Sequence, residues 1–577
     1  MSDGPGTHDE RLAPLIDAAL HRYFSRLTRR YVPIIGGLAV LILVVYVLPS
    51  KHQAANTNVA AGRANAATGG RTTGAAAATG TANNSSDGGA TGAQGGTGAA
   101  GASGAASASD GGQTVAGASQ TGTARSGVPC GLGVLQVSWS PYAPPCVAAY
   151  SGGNGGATGQ GVTDSTITLV MRHTPDQDAF GASVGFAPFS DLFADAQVLV
   201  DFFNQNYETY GRTVVLKELA GQGQALAEQA DQGQAGAQAD AQREKDMGAF
   251  ADITGVGAVV YGAALADRGI IMMGTPYTPE SVYEQYAPYV HGTPFWPTGE
   301  HWGHATAAAV CQRMAGMPAV FAGDPVYQKT TRVFGMTSIE QPSFAAGGNI
   351  FEQDVNRCGV QLAKRADYNY NYTNEAQQAV AIVTQMKAAG VTTLVHAGDP
   401  LMYAQLTLAA SQQNWHPEFI GVDPTAAAAR IGDQEEMAHA MSVGPLGRTP
   451  GDSGDEETGR VFRIASGGAA PRSAGTGNLV QIYMNLLEVV GAIQAAGPNL
   501  NANTFQAGFG SLPDAAGEFG LWRGAQLYNV TADYVIARWD PSKTNAGDGK
   551  AGDFIPCDNG TRYPFDNPQM GAGQLGC

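Results

Sequence analysis

Residues 161–174 read GVTDSTITLVMRHT, and the apolar run Ile167–Met171 inside them sets the reading of the whole chain. A run apolar but for Thr168, closed by a polar turn, is the pattern of a parallel strand covered on both faces. The same pattern recurs. It appears in LVDFFNQNYETYGRTVVL (199–216), in ADITGVGAVVYGAALADRGIIMMGTPYTPE (251–280) and in AVFAGDPVY (319–327). It appears again in GVTTLVHAGDP (390–400) and EFIGVDPTAA (418–427).

Helical segments separate these runs. Leu192, Phe193, Ala196, Leu199, Val200 and Phe203 fall on one stripe of a helix over 190–209. Further helices are expected over 224–248, 258–267, 302–314, 328–338, 345–357, 374–390, 401–413 and 479–496. Strands are expected at 212–219, 250–253, 269–273, 319–322, 360–366, 393–397, 418–422 and 528–539. The β-α alternation runs twice, joined near residues 295–300. This predicts an α/β chain of two doubly wound, Rossmann-like lobes with a ligand crevice at the strand ends. Lobe 1 is expected over 161–298 and 443–527, lobe 2 over 299–442 and 528–577.

The remainder is organised differently. Residues 31–48, YVPIIGGLAVLILVVYVL, carry no charge. Eighteen residues at 1.5 Å each just reach across a bilayer core of about 30 Å. Arg22, Arg26, Arg29 and Arg30 precede the run and place residues 1–30 in the cytoplasm. A cleaved signal peptide is the other reading of the same residues. Residues 49–127 are almost wholly small and polar, a disordered Gly/Ala/Ser/Thr linker that cannot bury enough apolar surface to fold. Residues 128–160, rich in Gly and Pro, lead into the first lobe.

The chain carries 32 Lys and Arg against 49 Asp and Glu, net −17, and the part beyond the linker is more acidic still. That argues against nucleic acid as a partner. All six cysteines fall in the exported part, which suggests disulfides. Fifteen pairings are open; Cys130–Cys146, Cys311–Cys358 and Cys557–Cys577 are favoured as sequence neighbours. No cofactor motif appears. Gly451-Asp452-Ser453-Gly454 resembles a serine-protease loop but has no histidine segment to serve it. His301 and His304 lack an evident third metal ligand, and the Asp540–Asp553 loop fails calcium-loop spacing. No enzyme is indicated.

In order and wording the runs from Gly161 onward resemble the type I periplasmic solute-binding proteins, the leucine/isoleucine/valine-binding family of ABC importers. The Gly-Val-Thr-Asp lead-in is present at Gly161–Asp164, and the Gly-Arg that ends the first helix stands at Gly211-Arg212. The family's double glycine before it is absent. No cysteine closely follows the apolar span, so the usual lipoprotein anchor is missing too.

The resemblance implies a small polar or amphipathic, amino-acid-like solute held between the lobes and passed to an ABC permease. It places ligand contacts at Gly255 and Gly257, at Tyr277 and Thr278, at Tyr327 with Asp324, and at Asp423. Phe180 and Trp302 are further apolar candidates. Bland roles stand beside these. The glycines also suit a tight turn, Tyr327 also suits packing, and Asp423 and Asp399 also suit helix caps. The alternative function is a ligand-sensing or structural envelope protein that keeps the fold without transport.

Overall fold

A computed structural model describes residues 121–577, apart from 184–185, 255–256, 275, 422–425, 447–455, 475–476, 525, 527, 546–547, 567 and 572. The cytoplasmic segment, the span at 31–48 and the linker up to residue 120 lie outside the described residues, as do Gly255, Asp423 and the 451–454 motif.

The linker ends earlier than its composition suggests. β1 (Gly122–Thr123) pairs antiparallel with β2 (Pro129–Cys130), Ala124 is buried, and Arg125 reaches Glu208 at 3.5 Å. Seven residues read as linker thus belong to the folded lead-in. Cys130–Cys146 closes this segment. The other two bridges join Cys311 to Cys358 and Cys557 to Cys577.

Two sheets follow. In the first, β3 (Thr166–His173), β4 (Thr213–Ala220), β5 (Ala251–Asp252), β6 (Ile271–Met273) and β7 (Val290–His291) lie parallel in the order β4-β3-β5-β6-β7. Six of the eight residues of β3 are buried, Thr168 and Arg172 among them, as a strand between two helical layers requires. In the second, β8 (Phe334–Ser338), β9 (Lys364–Arg365), β10 (Thr393–Ala397), β11 (Glu418–Gly421) and β12 (Ala440–Gly444) repeat the arrangement as β9-β8-β10-β11-β12. A small hairpin of β13 (Ala515–Gly517) and β14 (Gly520–Trp522) comes next. β15 (Asp533–Thr544) and β16 (Ala551–Pro556) then extend the second sheet antiparallel, and β17 (Tyr563–Pro564) pairs with β15.

Each sheet has its own core. The first gathers side chains from 137–295 and 461–530, the second from 302–443 and 534–575. The chain therefore passes between the sheets three times: after His291, between Gly444 and Glu457, and between Trp522 and Asp533. Two of these connectors are tied together. Gly292 N donates to Tyr528 O (2.7 Å), Asn529 Nδ2 to Trp296 O (2.6 Å) and Thr531 Oγ1 to Pro294 O (2.8 Å). Helix Asn478–Ala496 is apolar and long enough to cross a membrane, yet 89% of its apolar window is buried, so it is the core helix of the first lobe.

Local chemistry explains the lead-in motif. Gly161 has φ +69°, and a Cβ there would fall 2.1 Å from Phe250 N. Only glycine fits this approach of the lead-in to β5. Arg212, 1% exposed and without a carboxylate partner, donates to the carbonyls of Thr163, Asn154, Gly156 and Pro498. It thereby staples the lead-in to the sheet. The turn before it, lacking the double glycine, places Tyr210 itself at φ +57°. Its amide donates to Glu208 (2.6 Å) and its hydroxyl to Gln494 O (2.6 Å).

Two expected elements are absent. Residues 319–322 form no strand and 328–338 no helix; the chain makes turns, a 3-10 turn at Tyr327–Lys329, and then β8. The run FGMTS outcompetes AVFA because it lies beside β10, whereas the 318–332 excursion is pinned outside the sheet. Its anchor is Arg332, fully buried, with two hydrogen bonds to Glu418 at 2.7 and 2.8 Å. The predicted helix over 224–248 is broken into Ala225–Gln229 and Gln234–Asp246, with Asp231 at φ +58° between them.

Candidate functional site

Both sheets have the strand order 2-1-3-4-5, counted within each lobe. In such sheets a crevice opens beyond the strand ends where the winding reverses, between the first and third strands. In lobe 1 that point is the end of β3 and β5, carrying His173 and Thr254; in lobe 2 it is the end of β8 and β10, carrying Ile339 and Ala397–Asp399. All of these line one cavity of about 660 Å³. That volume lies within the ordinary range of small-molecule sites.

The walls are mainly apolar. Ten aromatic rings contribute, so stacking and apolar burial dominate what the cavity offers. From lobe 1 come Phe180, Phe186, Phe189 and Trp296; from lobe 2, Phe344 and Tyr370. Tyr277, at φ +51°, packs its ring 5.4 Å from Trp296. The floor is made of small residues. Gly299 opens helix Gly299–Arg313, and Gly347 lies in helix Pro342–Arg357. A Cβ on Gly299 would come within 3.2 Å of Gly347 N, so the two backbones meet beneath the cavity. Cys311–Cys358 locks the far ends of the same two helices.

The charged wall groups are held by their neighbours. Arg172 donates from Nη1 and Nη2 to Glu228, both 2.7 Å, and from Nε to Asp240 at 2.9 Å; its guanidinium sits 4.0 Å over the Tyr261 ring. Burial alone would lower its pKa; the Glu228 hydrogen bonds and nearby carboxylates outweigh that and keep the guanidinium charged. His173 is bracketed by Asp178 (2.7 Å) and Glu218 (3.1 Å) and stacks on Phe189. Asp399 caps helix Pro400–Gln412, accepting from the amides of Leu401 and Met402 at 2.9 Å each, and also accepts from Tyr368 Oη. Behind it Glu375 is 1% exposed with neither oxygen hydrogen-bonded. Burial, then the charge of Asp399, pushes its pKa up to about 10.

The rim is bridged from lobe to lobe. Asp231 accepts from Ser343 Oγ and from Ser343 N (3.4 Å), Tyr370 Oη donates to Gln229 (2.7 Å), and Phe180 meets Tyr372 edge-on at 6.1 Å.

Of the residues singled out in the sequence, Tyr277, Phe180, Trp302 and Asp399 line the cavity. Gly257, Thr278 and Tyr327 do not. A Cβ on Gly257 would meet the Met272 side chain at 2.5 Å, so this glycine serves packing. Thr278 is 2% exposed behind the wall. Tyr327 follows no strand, because the lobe's first strand is β8, and its ring packs against the core around Trp415 and Phe419. Phe186, Phe189, Trp296, Phe344, Tyr370 and Tyr372 were missed. The alternation Tyr368, Tyr370, Tyr372 was a usable signal: period two puts one face of an extended segment toward a common surface. Elsewhere, His304 pairs with Asp354 (2.5 Å) and Asp548 with Arg430 (2.5 Å), and no cluster of three metal-ligating side chains occurs among the described residues.

No family model and no curated relative matches the chain. Solved structures do match its fold. A fatty acid ABC transporter substrate-binding protein from Thermomonospora curvata aligns with TM-score 0.51 at 12% identity, over 73% of this chain and 99% of that one. A leucine-, isoleucine-, valine-, threonine- and alanine-binding protein from Brucella ovis, in a closed conformation, aligns with TM-score 0.48 at 11% identity, over 72% and 98%. A possible leucine/isoleucine/valine-binding protein from Rhodopirellula baltica aligns with TM-score 0.49 at 11% identity, over 68% and 96%. By the first of these alignments the described chain has the fold of an ABC-transporter substrate-binding protein, the type I periplasmic-binding fold.

Proposed function

We propose that this chain is an extracytoplasmic solute-binding protein that closes two lobes on a small ligand and delivers it to an ABC permease. The observation that carries this reading is the meeting of both topological switch points in one cavity. A ligand there touches both lobes only when they are closed, and so draws a hinge equilibrium toward closure. No catalytic step is needed. The apolar span at 31–48 tethers the domain outside the membrane, with residues 1–30 in the cytoplasm. An amino-acid zwitterion is the poorer fit for the ligand, since Arg172, the guanidinium on the described walls, is already held by Glu228 and Asp240 and leaves a carboxylate without a partner. The test is thermal-shift screening of the full chain against a small-molecule library, followed by co-purification from membranes. A stabilising ligand and a permease–ATPase complex are expected. A chain that responds to no small molecule loses this function.

A further inference from the structure

Resting on that binding-protein reading, we infer that the cavity takes a largely apolar solute and discriminates against free carboxylates. Three observations combine. The walls are aromatic and aliphatic from both lobes. Among the described lining residues the only basic side chains are Arg172 and His173, and no lysine is present. Both are already spent: Arg172 makes three hydrogen bonds to Glu228 and Asp240, and His173 is bracketed by Asp178 and Glu218.

An incoming carboxylate would either stay unpaired beside Asp178, Glu218 and Asp399 or pull Arg172 from a buried pair. Both are strongly unfavourable. Hydroxyl, carbonyl or ester oxygens face no such obstacle, because Gln177, Ser190 and Asn478 supply neutral polar groups on the wall. The solute is therefore a hydrophobic body with few neutral oxygens, such as an alcohol, ketone or ester of a long-chain or ring skeleton.

Decan-1-ol, decanoate and decyltrimethylammonium share a ten-carbon chain and differ in head-group charge. Their binding to the full chain in lipid nanodiscs is read by tryptophan fluorescence, with empty nanodiscs correcting for partition. The alcohol is expected to bind at least 30-fold more tightly than decanoate at pH 8, with the quaternary ion as the control for head-group charge of the opposite sign. Decanoate should gain affinity as pH falls toward its own pKa. Phe180→Lys, at the rim, adds a cation and should shift preference at least tenfold toward decanoate. Decanoate binding the parent chain as tightly as the alcohol would overturn the inference and leave the binding-protein reading standing. No binding by any of the three would overturn the inference too, and the library screen would still decide the binding-protein reading.

Discussion

Glu375 is the side chain whose surroundings most contradict its chemistry. It stands at the first turn of helix Glu375–Ala388, where a charged carboxylate is normally favoured, but here it is buried without a hydrogen-bond partner near Asp399. Burial wins over the helix field, and the folded chain holds its proton to about pH 10 where the unfolded carboxyl releases it near 4.5. Across that interval the folded state binds more protons, so the stability associated with this group is complete below pH 4.5 and declines as pH rises toward 10. Glu375→Gln keeps the shape and removes the titration. Its Tm should match the parent at pH 4.5 and exceed it by about 2 °C or more at pH 9. Melting curves at the two pH values check this; an equal difference at both would show that the proton is not the cause.

Between elements, the informative contact is Asp231 against helix Pro342–Arg357. That helix has Gln341 at its N-cap, which makes no capping hydrogen bond. The missing cap is supplied from the other lobe by Asp231, which sits in the break between two helices at φ +58°. Such a cap exists only while the rim is shut. Losing a side-chain cap costs about 1 kcal/mol, so Asp231→Ala should weaken ligand affinity about fivefold with little change in the melting of the ligand-free chain. Titration calorimetry with decan-1-ol, or with whichever solute the screen returns, measures it. Unaltered affinity would reduce the contact to a surface hydrogen bond. The sequence showed the elements unevenly, and for physical reasons. β3, β10 and the helices 189–206 and 375–388 were legible because a mainly apolar run closed by a polar turn, or a single stripe, admits one structure. The break at Asp231 was not, because Ala/Gln-rich residues without proline read as continuous helix. AVFA reads as a strand because it is a short apolar run, whereas FGMTS, broken by Gly335, Thr337 and Ser338, reads as the end of a helix over 328–338. Which one enters the sheet is settled by a distant ion pair, Arg332 with Glu418, that no local pattern reveals. The site suffered the same displacement: Tyr327 followed AVFA out of the sheet, while the rings that do line the cavity come from helices, such as Phe189 and Phe344, and from loops, such as Trp296 and Tyr370, whose convergence on one cavity only the fold fixes.

At the scale of the whole chain, two separately cored lobes are joined by three connectors and by rim contacts at Asp231–Ser343, Gln229–Tyr370 and Phe180–Tyr372. Few groups hold the rim, and all are partly exposed, so the open state lies within reach of thermal energy. A ligand shifts this balance only by its preference for the closed form; present at 100 times its Kd, it stabilises the bound state by about 2.7 kcal/mol. Spin labels at Ala235→Cys and Gln353→Cys, exposed positions on helices of opposite lobes, report the distance between the lobes. Without ligand the distance distribution should contain a long and a short component. Saturating ligand should leave the short one, and Asp231→Ala should enlarge the long one in the ligand-free chain. A distribution that ligand does not change would mean the lobes do not move against each other. Capture by closure would then fail for this molecule even if its cavity binds.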